Sequence, residues 1–119
     1  MPATPRTRLD IKEVGEVTVV YFTDRKILDE DSVQAIGEQL LGLADEGGRR
    51  NFLLNFRNVD FLSSAALSKF LRLYKRLQQV GGRLVLCEIS EEILEVFRIT
   101  ALDQLFTICD IEREGLEKF

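Results

Sequence analysis

The chain has 119 residues, 45% apolar and 30% charged, with a net charge of −4 and no histidine. That length supports one domain with its own core, and the acidic balance with no basic tract argues against nucleic-acid binding. Without histidine there is no Ser-His-Asp or Cys-His arrangement and no ordinary general base near neutral pH, so the chain reads as a non-enzyme.

Residues 1–7, M-P-A-T-P-R-T, lack an apolar stretch behind their basic residue and are expected to form a loose arm, leaving 8–119 as the domain. L9-D-I-K-E-V14 alternates and V17-T-V-V-Y-F22 is β-branched and aromatic, so two strands are predicted, joined at G15-E16 by a hairpin. T23-D-R-K26 reads as a turn. Asp31 or Ser32 is placed to cap a helix carrying Val33, Ile36, Leu40 and Leu43 or Ala44 on one face, which G47-G48 should end.

N51-F-L-L-N-F56 is a short apolar run of the kind found in strands covered on both faces. A long helix follows to about Val80, with Leu67, Phe70, Leu71, Tyr74 and Leu77 as its core stripe. Leu73 falls off that stripe, and Ala66, Lys69 and Leu73 are read as a candidate docking patch. R83-L-V-L-C87 is another buried strand, and Ser90 caps a further helix. F106-T-I-C109 is a short last strand, and the tail docks through Ile111, Leu116 and Phe119. Cys87 and Cys109 read as buried free thiols without metal-ligand spacing, so neither a metal nor a cofactor is expected. The alternation predicts an α/β fold with a mixed four- to five-stranded sheet and helices packed against it. No apolar run approaches the ~20 residues of a membrane span, so the expectation is a cytoplasmic protein without membrane insertion.

The junction between the third strand and the long helix carries Ser63 and Ser64. Ser63 fits a helix N-cap. Ser64 then opens the helix at the carboxyl end of a buried strand, where sites collect in α/β sheets and where a helix terminus tolerates an anion. A phosphate there would add about −1.5 to −2 charges and alter docking without unfolding the domain.

Taken together, L28-D-E-D-S32, L62-S-S-A-A-L67 and V80-G-G-R-L-V-L86, in this order, resemble the STAS domains, and among them the single-domain anti-sigma factor antagonists of bacteria. The resemblance implies that Ser64 is phosphorylated by a partner serine protein kinase that is itself the anti-sigma factor, and that phosphorylation ends the complex. It places Asp29 as a loop acid near the serine, with Ser63, Asn55 and Asp60 as further neighbours. Three positions depart from the family pattern. Ser63 replaces the commoner Asp, Ala66 stands where Gly is usual and should hinder a partner's approach, and Asn55 replaces a frequent Asp. A STAS interaction module that is never phosphorylated is the alternative. A small enzyme or nucleotide-binding domain is a third reading, opposed by the absence of any Gly-x-Gly-x-x-Gly or Walker-type loop.

Overall fold

The structure, a computed structural model, describes residues 8–119; the arm expected over residues 1–7 lies outside them. In chain order the elements are β1 (Leu9–Val14), β2 (Val17–Phe22), β3 (Lys26–Ile27), α1 (Glu30–Asp45), β4 (Asn51–Asn55), β5 (Phe61–Leu62), α2 (Ser64–Gln79), β6 (Arg83–Cys87), α3 (Glu91–Ile99), a 3-10 turn at Leu102–Gln104, β7 (Thr107–Cys109) and α4 (Glu112–Leu116). Five strands form one mixed sheet in the order β1-β2-β4-β6-β7, with β1 antiparallel to β2 and the remaining pairs parallel. Gly15 makes the hairpin possible, because its φ of +60° is cheap only without a Cβ.

From β2 onward the strands are laid down in one direction, and crossovers of a single hand then put their helices on one face. Phe22, Phe52, Leu54, Leu84 and Leu86 point to that face and meet Ile36 and Leu40 of α1, Phe70 of α2 and Phe97 of α3. The rings of Phe22, Phe56 and Phe70 pack with centroids 5.0, 5.8 and 5.5 Å apart. The alternate positions Val17, Val19, Leu53, Val85 and Cys87 form a second cluster, which Leu116 of α4 flanks. Burial on both faces explains why β4 and β6 read as unbroken apolar runs.

Several expectations need correction. Lys26–Ile27 is not a simple turn: it pairs in parallel with Phe61–Leu62 as a separate two-stranded ribbon, too short to show any periodicity. The cap of α1 is Asp29, two or three residues earlier than expected, and Asp31 and Ser32 lie within the first turn. Leu73 is fully buried rather than part of an exposed docking patch. It lies one helical turn from Lys69 and from Arg76, which bond to Gln34 and Asp45 of α1, so this side of α2 faces a neighbouring helix. The buried arc of α2 is therefore wider than one stripe. In the tail, Leu116 packs against the second cluster as expected, but Ile111 and Phe119 are exposed, and the buried residue of α4 is Gly115. A Cβ at that position would sit 2.6 Å from Cδ1 of the buried Leu53.

Candidate functional site

The β3–β5 ribbon is what assembles the site. Ile27 is the register partner of Leu62, and the Ser63 N–H donates to the Ile27 carbonyl at 3.0 Å. The N–H groups of Asp60 and Phe61 both donate to the Arg25 carbonyl, at 2.7 and 3.2 Å. The Arg25 guanidinium holds the Asp60 carboxylate at 2.9 and 2.7 Å. The segments after β2 and after β4 are thus fastened side by side. Two residues past Ile27 stands Asp29, and two past Leu62 stands Ser64. The N-termini of α1 and α2 accordingly lie together at the carboxyl rim of the parallel strands, where loops of this fold class gather.

Ser63 has extended φ and ψ of −85° and 160°, and its Oγ accepts from the Ala66 N–H at 3.2 Å, as an N-cap does. Ser64 is the first residue of α2; its side chain is exposed and its hydroxyl makes no hydrogen bond among the described residues. The first turn of α2 holds no acid, whereas α1 has Glu30 and Asp31 there and α3 has Glu91 and Glu92. The positive end of the α2 dipole therefore has no carboxylate of its own helix against it, and an anion at Ser64 would meet a favourable field.

Asp29 is fixed in place. Its two carboxylate oxygens accept from the Ser32 hydroxyl at 2.7 Å and the Ser32 N–H at 2.9 Å. Arg8 extends the chain, donating to the Ser32 oxygen at 3.0 Å and to Asp24 at 2.8 Å. The hydrogen bonds from Ser32, side chain first and backbone second, hold the Asp29 carboxyl below its usual range, so it is a carboxylate at neutral pH. Register puts this fixed negative charge next to the Ser63–Ser64 turn.

The remaining sequence-predicted residues fall in different places. Asp60 is half-exposed and tied to Arg25. Lys69 is half-buried; its stem passes over Gly37, where a Cβ would lie 2.7 Å from its Cδ, and its ammonium donates to Gln34 at 3.1 Å. Ala66 is only 1% exposed and packs into the core, so it neither belongs to a docking patch nor hinders a partner. Asn55 ends β4 at the same rim, but its side chain is engaged with the tail: it donates to Glu88 at 3.3 Å and to Glu112 at 3.0 Å, and accepts from the Arg57 N–H at 2.9 Å. An Asp there would meet two carboxylates, which gives Asn55 a local reason unrelated to Ser64. Burial alone would push the Glu112 carboxyl up, but hydrogen bonds from Tyr21, Lys12 and Asn55 outweigh it and hold it low.

Sequence reasoning missed two residues. Leu28 and Phe61 are 51% and 53% exposed and flank the serines, with Lys26 Nζ 5.6 Å from the Phe61 ring centre. Outward Lys26, Leu28 and Phe61 alternate with inward Ile27 and Leu62, the pattern of a half-buried ribbon. Two-residue strands are too short to show that alternation in sequence. Neither Ser63 nor Ser64 lines the surface hollows of about 400 to about 600 Å³ found elsewhere on the molecule. Among the described residues, no group of three or more Cys, Asp or Glu is placed to hold a metal ion, and no helix is long and apolar enough to cross a membrane.

Ser64 is thus presented on an α/β rim, beside exposed apolar side chains and away from these hollows. The sequence model of the STAS domain matches residues 8–115, and the chain belongs to that family. It is 32% identical over 93 residues, 78% of this chain and 79% of the relative, to a putative anti-sigma factor antagonist, BtrV, of Bordetella bronchiseptica. It is 28% identical over 90 residues, 76% of this chain and 81% of the relative, to the anti-sigma-B factor antagonist of Bacillus subtilis. Its fold is similar to that of the Bacillus cell fate determinant SpoIIAA in the phosphorylated form, with a TM-score of 0.70, 22% identity, and coverage of 92% of this chain and 97% of that one.

Proposed function

We propose that this protein is a cytoplasmic anti-sigma factor antagonist that binds an anti-sigma factor with serine kinase activity, and that phosphorylation of Ser64 ends the binding. The observation that carries this reading is the placement of Ser64: exposed, unbonded among the described residues, and first in the acid-free N-terminal turn of α2. The relatives named as anti-sigma factor antagonists supply the partner class, and a fold of this kind has been described in a phosphorylated form. The role is regulatory binding rather than catalysis.

The switch has a physical basis in the geometry. A phosphate on Ser64 adds about −1.5 to −2 charges at the α2 terminus, which the helix dipole accepts. The same charge faces the fixed carboxylate of Asp29 and any partner surface shaped for a neutral hydroxyl. Like-charge and desolvation terms then weaken the complex while the core stays intact. Incubation with the cognate kinase and ATP, followed by phosphopeptide mapping, tests the reading directly. Label on Ser64 and a complex weakened in Ser64→Asp are expected. Equal binding by Ser64→Ala and Ser64→Asp, with no label, would instead establish a constitutive interaction module.

A further inference from the structure

Cys87 and Cys109 are register partners on the neighbouring parallel strands β6 and β7, and both are free thiols. Partners in register project to the same face of a sheet, here the one that Leu116 of α4 flanks. Adjacent strands lie about 4.8 Å apart, inside the Cα window of roughly 4.4–6.8 Å that a disulfide requires. The two thiols differ in access. Cys87 is sealed in the core, whereas Cys109 sits on the edge strand and lines a hollow of about 400 Å³ together with Asp110, Glu114 and Lys118.

We infer that Cys87 and Cys109 form a redox pair in which a peroxide-class oxidant entering this hollow oxidises Cys109 and Cys87 resolves it into a disulfide between β6 and β7. In the first step the Cys109 sulfur takes an oxygen from the peroxide; the O–O bond breaks, sulfenic acid forms and one water leaves. In the second, the Cys87 sulfur bonds to the Cys109 sulfur, the S–O bond breaks, and the departing hydroxide takes the Cys87 thiol proton as a second water. The pair loses two electrons and two protons, and one peroxide becomes two waters. Burial raises both thiols, Cys87 to about 12, so both are protonated at neutral pH and react slowly with the oxidant. The product clips the three-residue edge strand β7, and with it the start of α4, to the centre of the sheet.

This pair is independent of the serine rim and is tested without any partner. The full chain is treated with hydrogen peroxide, quenched, and analysed under non-reducing conditions. The expected result is a monomer lighter by two hydrogens, with both thiols lost in denaturant and the Cys87 and Cys109 peptides cross-linked. Dithiothreitol restores both thiols, and the oxidised form melts several degrees higher than the reduced one. In Cys87→Ala, Cys109 carries a dimedone-trappable sulfenic acid; in Cys109→Ala, Cys87 stays reduced. Two thiols still titrating after treatment, or cross-links only between chains, would overturn the inference. The wild-type peptide map decides the matter even where an alanine variant does not fold.

Discussion

Two helix N-termini stand side by side on this rim and are built in opposite ways. That of α1 is saturated with negative charge: Asp29 caps it, Glu30 and Asp31 follow, and Ser32 and Arg8 fix the cap. That of α2 is capped by a neutral serine, holds no acid in its first turn and presents a hydroxyl unbonded among the described residues. The difference separates structural from regulatory use of the same dipole. At α1 the favourable interaction with negative charge is built into the chain, and it stabilises the helix. At α2 it is left open, and a charge can be added and removed.

The largest effect that would break the comparison comes from the packing that holds both helices in place. Leu73→Ala should lower unfolding free energy by about 2–5 kcal/mol in urea titrations, because it empties a fully buried site facing α1. A surface residue would cost almost nothing. Ser64→Asp sharpens the comparison functionally: binding to the anti-sigma factor should weaken by roughly 10- to 100-fold in calorimetry, with the melting temperature nearly unchanged. Ser63→Ala removes the α2 cap and should cost about 1 kcal/mol by thermal unfolding. Ser63→Asp should fold normally, since its carboxylate would meet a favourable dipole.

The smallest effect distinguishes the α1 cap by its pH dependence. The folded pKa of Asp29 lies below its unfolded value, so its contribution is complete above the unfolded pKa of about 3.9. It is lost as pH falls through the lower folded pKa. Asp29→Asn should therefore show a shallower loss of stability than wild type in acid melts below about pH 4, while matching its slope near pH 7.

Much of this was legible in the chain itself. The hairpin and the caps Ser63 and Ser90 rest on contacts within a few residues, and β4 and β6 show in the chain as unbroken apolar runs; local patterning records both. The β3–β5 ribbon was not legible, because each half is two residues long and 35 residues separate Lys26 from Phe61. With it were hidden the exposure of Leu28 and Phe61 and the neighbourhood of Asp29 and Ser64. Leu73 misled because a single stripe assumes one neighbour, whereas α2 packs on the sheet and on α1 together. The tail misled in part because Gly115, with no side chain to suggest burial, helps Leu116 to dock it.

By itself the sequence determined the order of the longer elements, the α/β class and the serine that begins α2, since periodicity and capping are short-range properties. Tertiary structure alone decided which charges surround that serine, which face Asn55 serves, and that two distant cysteines lie in register. Those relations arise when strands remote in the chain become neighbours, and no local pattern encodes such a pairing.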